Sequence, residues 1–227
     1  MSMLKHLGII MDGNRRFAKK HGKLPIFGHK AGFDNAVKIS KIIALKDIGY
    51  LTLWALSTEN LEKREKEELT GIIGLIEFIP SLLPVFQENK SSFHTIWDIS
   101  KLPERTQKIL AEVKEKSKNF WDKKIILALV YGWQDEIIRG IKKFIKSSED
   151  IDALTPAKFG TYLDSGDFPY PDFIIRTGTE QRHSGFLLYG SSYSEYFFSW
   201  KLWPEFDEQE LEKALEFFNT TKRNFGK

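Results

Sequence analysis

Cysteine is absent from the 227 residues, which excludes disulfides, thiolate nucleophiles and cysteine-ligated zinc. Its absence suits a reducing compartment. An excess of charge of one sign is also missing. The 34 Lys and Arg and the 31 Asp and Glu nearly balance, and the formal net charge at pH 7 is only +3. With no basic stripe interleaved with aromatic residues, the sequence gives no reason to expect nucleic acid as a partner.

Several motifs of common enzyme classes are missing as well. The sequence contains no nucleotide-binding Gly-x-x-x-x-Gly-Lys-Ser/Thr or Gly-x-Gly-x-x-Gly loop, no Gly-x-Ser-x-Gly elbow and no His-Glu-x-x-His motif. Residues 1–11 lack a secretory cleavage site. The longest apolar run, Leu69 to Phe86, is interrupted by Glu77, Pro80 and Pro84, and it falls short of the roughly 20 apolar residues that span a bilayer. We therefore expect a soluble, cytoplasmic protein.

Short apolar runs alternate with longer segments of helical periodicity. The predicted strands are Leu7–Met11, Leu51–Leu56, His94–Asp98, Ile125–Val130, Phe173–Arg176 and Phe197–Ser199. The predicted helices are Phe33–Leu45, Lys66–Phe86, Glu104–Ser117, Asp135–Lys146 and Asp207–Asn219. This alternation favours an α/β fold with a central, mostly parallel six-stranded sheet flanked by helices. No linker or repeat divides the chain, so we expect a single domain over residues 1–227.

Polar loops follow four of the predicted strands. Because the carboxyl ends of parallel strands meet at one edge of a sheet, and ligands bind there in open α/β folds, we expect these loops to line one crevice. The loops contain residues 12–16, 57–60, 131–132 and 176–182.

The first loop, Asp12-Gly13-Asn14-Arg15-Arg16, combines a turn with donors and a carboxylate. Gly13 allows the turn, and the amides that open the next helix can face an anion together with the Asn and Arg side chains. A carboxylate among such donors makes sense if Asp12 holds Mg²⁺ against phosphate oxygens. An Asp-Gly turn with solvated arginines explains this fragment equally well on its own.

Arg176, Arg182 and Ser184 form a second group of donors. Two guanidinium forks and a hydroxyl suit a diphosphate, whose oxygens match the fork geometry. The alternative is a surface ion-pair network with Glu180. Arg176 argues against that alternative because it directly follows an apolar strand, where an unpaired arginine is costly.

Other candidate residues are ambiguous by themselves. His29 could donate to a phosphate, but a single histidine near a helix start is more often structural. Ser57 and Asn60 are ordinary helix-capping types. Glu195 stands between aromatic residues, where a metal ligand and a buried hydrogen-bond acceptor are equally plausible.

The segment Leu69–Phe86 leaves almost no polar face. A helix that is apolar all round is buried or faces a hydrocarbon ligand, and Pro80 and Pro84 should interrupt it. A core helix is the more common case. Beside two anion sites, a hydrocarbon tunnel becomes the better interpretation.

Ordered blocks along almost the whole chain resemble the cis-prenyltransferase family, typified by undecaprenyl diphosphate synthase. The blocks are Ile9–Ala18, Gly28–Gly32, Leu51–Asn60, Ile175–Gly178, Gln181–Arg182, Ser184–Leu188, Tyr193–Glu195, Leu202–Phe206 and Arg223–Gly226. The resemblance implies a prenyltransferase that condenses isopentenyl diphosphate with an allylic diphosphate, uses Mg²⁺, and forms cis double bonds to give a polyprenyl diphosphate. It also implies a homodimer paired through the C-terminal third. Because the product is a hydrocarbon chain, peripheral membrane contact is expected too.

The resemblance assigns roles by position. Asp12 would hold Mg²⁺, with Glu195 completing the metal shell, and Ser57 and Asn60 would lie where the condensing unit loses its proton. The allylic diphosphate would be bound by Gly13, Asn14, Arg15, Arg16 and His29. The isopentenyl diphosphate would be bound by Arg176, Arg182 and Ser184.

Three positions depart from the family pattern: Pro25, Lys63 and Gln134 stand where bacterial members commonly carry arginine. Each charged hydrogen bond contributes roughly 1.5–3 kcal/mol, so the phosphate grip should weaken, with Arg15 compensating in part. A short-chain or branching synthase and a non-catalytic partner subunit therefore remain alternatives. The latter is disfavoured because Asp12 and Arg176 are present.

Overall fold

The computed structural model describes residues 3–96, 99–120 and 122–223 and is built around one six-stranded sheet. The strands are β1 His6–Ile10, β2 Tyr50–Trp54, β3 Ser91–Ile96, β4 Lys123–Ala128, β5 Phe173–Arg176 and β6 Glu195–Phe198. Their order is β3-β4-β2-β1-β5-β6, and each of the five pairings is parallel. The predicted fold class is confirmed. β3 begins three residues before the predicted strand, whose last two residues, 97 and 98, lie outside the described residues.

Helices flank the sheet on both faces. Within the described residues the α-helices are α1 Asn14–Lys20, α2 Pro25–Ala44, α3 Thr58–Lys63, α4 Lys66–Glu77, α5 Leu83–Glu88, α6 Glu104–Ser117, α7 Trp133–Ser147, α8 Pro156–Gly160 and α9 Glu208–Thr220. α2 begins eight residues before the predicted Phe33, because Pro25 at the first helical position needs no amide partner. The short helices α1, α3 and α8 were not predicted, since none is long enough to show an apolar period.

The central strands are buried on both faces, which explains their nearly continuous apolar sequences. Leu7 and Ile9 of β1 point to a core formed with α2 and α9, which includes Ile39 and Leu211. Ile10 joins a separate core on the other face. The two faces of one strand thus anchor both helical layers and fix the position of the loop that follows it.

The predicted helix Lys66–Phe86 is interrupted, as its prolines indicated. α4 ends at Glu77, a 3₁₀ turn spans Ile79–Leu82, and α5 starts again at Leu83. Length and composition alone, with a mean hydropathy of 1.9, would allow the 23-residue stretch Lys66–Glu88 to cross a membrane. Here its apolar residues pack on β3 and α6 and line a pocket described below.

His6 on β1 is buried, and both of its ring nitrogens form hydrogen bonds in the neutral form. Its Nδ1 donates to the carbonyl of Pro169 at 2.6 Å, so its Nε2 accepts from the Thr52 hydroxyl at 2.8 Å. Burial lowers the pKa of His6 to about 4, against the opposing effects of the Pro169 hydrogen bond and of Asp172. Protonation would therefore charge a side chain that is only 2% exposed.

We expect the free energy of unfolding to fall as the pH drops from 6.5 towards 4. The unfolded chain binds a proton on His6 near pH 6.5 and the folded chain only near pH 4, so the stabilisation is complete above 6.5 and is lost below it. The loss amounts to about 3 kcal/mol. Urea unfolding at several pH values measures it. His6→Gln should weaken the pH dependence without abolishing it, because burial also lowers the pKa of His94 to about 4. The exposed His183→Gln is the control, and equal slopes in both variants would contradict the assignment.

Candidate active site

The loops that follow β1, β2, β4 and β5 converge on one crevice at the carboxyl edge of the sheet. Its volume is about 1370 Å³. The crevice is lined by the predicted residues Asp12, Gly13, Asn14, Arg15, Arg16, His29, Ser57, Asn60, Arg176, Arg182 and Ser184. The prediction of a single crevice is therefore confirmed for these residues.

Asp12 is held between two arginines. Arg16 Nη2 donates to Oδ1 and Arg176 Nη2 donates to Oδ2, both at 2.9 Å. The backbone on either side is fixed by Thr177, whose hydroxyl accepts from the Asp12 amide at 3.0 Å, and by Trp203, whose amide donates to the Asp12 carbonyl. The carboxylate is thus presented to the crevice at a fixed place.

Gly13 makes this placement sterically feasible. Its φ of +117° lies in the region that favours glycine, and a Cβ here would come within 2.9 Å of the Leu202 backbone. The residue caps α1, whose first amides have no partner within the helix. Any other residue at position 13 would displace the carboxylate or the following arginines.

Arg176 is buried to 4% exposure and organises the second predicted group. Its Nη1 donates to the Ser184 hydroxyl at 2.7 Å and to the carbonyl of Arg182. The Arg182 side chain itself is exposed at the rim of the crevice. One buried arginine therefore links Asp12 to the loop that carries the other isopentenyl-site candidates.

Arg16 also pairs with Glu180. Its Nη2 lies 2.8 Å from Glu180 Oε2, and its Nη1 donates to Oε1 at 3.0 Å. Burial acts to raise the pKa of Glu180, but the hydrogen bond and charge of Arg16 outweigh it and lower the pKa. Two carboxylates, those of Asp12 and Glu180, thus bracket one guanidinium. The sequence analysis placed Glu180 only in an alternative surface network.

His29 lies in a buried cluster that sequence reasoning missed. Its Nε2 donates to Glu68 Oε1 at 2.8 Å, and Arg64 Nη1 approaches the same oxygen at 3.5 Å. Burial, supported by the charges of Arg64 and Arg15, lowers the pKa of His29 despite Glu68. An anion in the crevice would oppose that shift and favour the imidazolium, in which Nδ1 becomes a second donor.

Arg64, rather than Lys63, brings positive charge into the crevice. α3 ends at Lys63, whose ammonium is 75% exposed and lies 3.7 Å from Glu59. Arg64 adopts extended backbone with φ −82° and ψ 152°, which turns its side chain inward to Glu68. Lys63 does not line the crevice, and the guanidinium of Arg64, one residue later, does.

The other two departures from the family pattern, at Pro25 and Gln134, place uncharged residues in the crevice. They lie at the starts of α2 and α7. Ser57 and Asn60 line it as well, and the Ser57 hydroxyl accepts from the Asn60 amide at 3.1 Å as the cap of α3. The capping interpretation of Ser57 is thus correct, and its hydroxyl proton remains available to a ligand.

The structure does not bring Glu195 to the crevice. Glu195 is the first residue of β6 and pairs with Phe173, whereas the crevice lies beyond Arg176, at the other end of the same pair of strands. Three residues of strand separate the two ends by about 10 Å. The prediction that Glu195 completes a metal shell with Asp12 of the same chain is therefore wrong.

Five buried polar atoms of residues that line the crevice have no hydrogen-bond partner among the described residues. They are Asn14 Oδ1, Trp54 Nε1, Arg64 Nε, Arg176 Nε and Glu180 Oε2. Buried polar groups are normally paired, so their concentration in one crevice indicates a polar ligand. The three donors among them suit an anion.

An apolar pocket of about 130 Å³ adjoins the crevice, between α2, α4 and the sheet. Its walls include Phe33, Val37, Ile72, Ile76 and Phe86. The side chains that line both spaces are those of Met11, Asn14, His29 and Ala55. The predicted hydrophobic tunnel corresponds to this pocket, and a ligand across the shared wall would have a charged head and a hydrocarbon tail.

The donor set fits Mg²⁺ that arrives with a phosphate ligand. Among the described residues no group of three or more His, Asp or Glu side chains could hold a metal alone. Mg²⁺, however, is usually bound by one or two carboxylates together with substrate phosphates and water. Asp12 and Glu180 beside an arginine-rich crevice provide such carboxylates.

Comparison with known proteins decides the family. The family model described as "Putative undecaprenyl diphosphate synthase" matches residues 10–226. The chain belongs to the undecaprenyl diphosphate synthase family. It is 39% identical to an isoprenyl transferase of Clostridium perfringens over 99% of this chain and 90% of that one. It is 37% identical to the isoprenyl transferase of Treponema denticola over 98% and 97% of the two chains.

Two solved structures of similar proteins share the fold. Lavandulyl diphosphate synthase from Lavandula x intermedia, in complex with dimethylallyl diphosphate, has a TM-score of 0.93 at 31% identity and covers 99% of this chain and 98% of its own. A probable undecaprenyl diphosphate synthase from Campylobacter jejuni has a TM-score of 0.84 at 31% identity over the full length of both chains. As a member of the undecaprenyl diphosphate synthase family, the chain is a prenyltransferase.

Proposed function

We propose that the chain condenses isopentenyl diphosphate with an allylic prenyl diphosphate in an Mg²⁺-dependent reaction that forms cis double bonds. The observation that carries this proposal is the wall that the polar crevice shares with the apolar pocket. A prenyl diphosphate has a multiply charged anionic head and a hydrocarbon tail, so it matches both spaces at once. The crevice is also large enough for a second diphosphate.

The two diphosphates divide between two clusters. The allylic head would be bound by Asn14, Arg16, His29 and Arg64, with backbone from Gly13 and Arg15. All of these residues line the crevice, and Asn14 and His29 also line the apolar pocket. The isopentenyl head would be bound by Arg176, Arg182 and Ser184 on the loop after β5. Asp12 lies between the clusters through its ion pairs with Arg16 and Arg176.

The condensation breaks the bond between the allylic carbon and its diphosphate oxygen and forms a carbon–carbon bond to the terminal carbon of isopentenyl diphosphate. A proton is then lost from the isopentenyl unit. Arg16 and Arg64 stabilise the charge that develops on the departing diphosphate. Mg²⁺, when held by Asp12, supplies further neutralisation of that charge. Ser57 and Asn60, at the start of α3, orient the unit that loses the proton.

Incubation of the full chain with labelled isopentenyl diphosphate and dimethylallyl, geranyl, farnesyl or geranylgeranyl diphosphate in turn tests this function. We expect incorporation with at least one primer, none after chelation of Mg²⁺, and cis geometry in the NMR spectrum of the new double bond. No incorporation with any primer would overturn the proposal.

The small pocket favours a short-chain synthase as the second candidate. Its volume of about 130 Å³ compares with a 150 Å³ cavity that binds benzene, so it holds about one five-carbon unit as it stands. The similar lavandulyl diphosphate synthase was solved with dimethylallyl diphosphate, which is itself a five-carbon allylic substrate. A long polyprenyl product requires α4 and α5 to move apart from α2.

Phe86→Leu should lengthen the main product by at least one isoprene unit. Phe86 lines the pocket and stacks on Phe93 at 5.7 Å, so a smaller apolar side chain removes part of the floor without placing a polar group there. Chromatography of the labelled products measures the change. Phe78→Leu, at an exposed position outside the pocket lining, is the matched control. Identical products in both variants and the native chain would show that Phe86 does not limit length.

We also propose a cytoplasmic homodimer that pairs through the C-terminal third. Three exposed aromatic residues of that third, Tyr170, Tyr193 and Trp200, would be covered by such pairing. Sedimentation equilibrium of the purified chain tests it, and a monomer at micromolar concentration would contradict it.

A further inference from the structure

The turn between α1 and α2, with the first turn of α2, presents three large apolar side chains to solvent. Leu24, Phe27 and Ile26 are 76%, 43% and 37% exposed. Single exposed apolar residues are ordinary, but three within four positions form a contiguous patch, and such patches mark interaction surfaces. We name Leu24, Ile26 and Phe27 the α1–α2 tip.

The tip is held rigidly by its neighbours. The Phe27 ring stacks on Phe17 of α1 with 6.0 Å between centroids. Ile26 packs on Gly71 of α4, where a Cβ would come within 2.3 Å of the Ile26 side chain. Bracing on both sides keeps the remaining apolar atoms pointed outward, so ordering the tip on a surface costs little entropy.

The tip is surrounded by positive charge. No Asp or Glu occurs between Asp12 and Asp34, a stretch that holds six Lys and Arg. Lys20 pairs with Glu205 and Lys30 with Asp34, while Lys19 and Lys23, which also line the crevice, form no ion pair with the described residues. The edge of the crevice next to the tip therefore carries uncompensated cations.

The tip also continues into the wall of the apolar pocket. α2 and α4 run side by side from the contact of Ile26 with Gly71 to the edge-to-face contact of Phe33 with Phe78. Between these contacts, Phe33 and Ile72 line the pocket. A hydrocarbon that leaves between the two helices would emerge beside the tip. This continuity, together with the cationic surroundings, fits an anionic lipid surface as the occupant.

We propose that the α1–α2 tip docks on an anionic lipid surface. Leu24, Ile26 and Phe27 enter the boundary between headgroups and acyl chains, and Lys19 and Lys23 lie over lipid phosphates. The proposal locates the membrane contact on particular residues. It does not depend on the proposed reaction, because docking is measured without substrates.

Flotation of the full chain with vesicles of phosphatidylglycerol and phosphatidylcholine, compared with phosphatidylcholine alone, tests the proposal. We expect binding to the anionic vesicles only. Leu24→Glu should lower that binding on the order of tenfold, because it removes a buried apolar side chain and adds a repelled charge. Leu45→Glu is the matched control, since Leu45 follows the other end of α2, is 87% exposed and gives the same change in net charge.

Three results would overturn the docking surface. They are absence of the native chain from floated anionic vesicles, equal binding to neutral vesicles, and equal loss of binding in the two variants. Both variants should retain native turnover in vesicle-free buffer on the primer that the native chain prefers. A loss of turnover in Leu24→Glu alone would assign the tip to substrate binding instead.

Discussion

Asp12→Asn should lower kcat on the order of 10²–10³-fold, which is typical for the loss of one electrostatic group at a site of developing charge. Asp12 lies between Arg16 and Arg176 and is the central carboxylate of the crevice. The substitution removes its charge and therefore its ability to hold Mg²⁺ against a diphosphate. We also expect the Mg²⁺ concentration for half-maximal turnover to rise. Steady-state kinetics with the preferred primer measures both quantities.

The amide is a better probe than alanine because Arg176 is buried. Asparagine can still accept a hydrogen bond from one of the two arginines, whereas alanine would leave Arg176 without its carboxylate, at a cost of about 3–5 kcal/mol. The thermal midpoint should therefore fall less in Asp12→Asn than in Asp12→Ala. Asp34→Asn, which removes a surface carboxylate paired with Lys30, is the control and should keep native turnover. Native turnover and Mg²⁺ dependence in Asp12→Asn would refute the assignment.

Arg64→Gln should raise the KM for the allylic diphosphate by about 10- to 100-fold, equivalent to the 1.5–3 kcal/mol of one charged hydrogen bond. The guanidinium lies beside His29 and Glu68 at the entrance to the apolar pocket. The KM for isopentenyl diphosphate should remain near its native value, because the proposed site for that substrate is the loop after β5. Initial rates with each substrate varied in turn separate the two constants.

The neighbouring lysine provides a matched control for this prediction. Lys63→Gln removes one positive charge at the adjacent position, but the Lys63 ammonium is exposed and near Glu59, so both KM values should stay native. Arg64→Lys should recover part of the lost affinity, since it restores charge without the fork geometry. A larger rise in the KM for the allylic diphosphate in Lys63→Gln than in Arg64→Gln would show that Lys63, and not Arg64, binds this diphosphate.

The sheet and its crevice could be predicted because their signals are local. A parallel strand buried on both faces is an apolar run, and a polar loop directly after such a run must lie at the carboxyl edge. Asp12 and Arg176 each follow a strand in this way. That they form an ion pair could not be predicted, because 164 residues separate them and only the pairing of β1 with β5 brings them together.

The resemblance could not place Glu195 or Lys63 in space. It assigned Glu195 to the metal shell by its position in a motif, but the pairing of Glu195 with Phe173 places it at the end of the strand away from the crevice. Lys63 was aligned by fixed spacing, but the end of α3 decides which side chain turns inward. Glu68 stood in a run of charged residues typical of a solvated helix face. Its burial follows from the packing of α2 on α4.

The wall shared by the crevice and the pocket has a consequence for how a product could grow. If each new unit is added at the diphosphate end, the reacting end stays beside Asn14 and His29 in every cycle. The hydrocarbon end of the growing chain then moves deeper into the apolar pocket with each addition. The enzyme would not need to recognise any particular length. Growth would stop when the free-energy cost of displacing the far wall of the pocket exceeds the free energy released by one more addition.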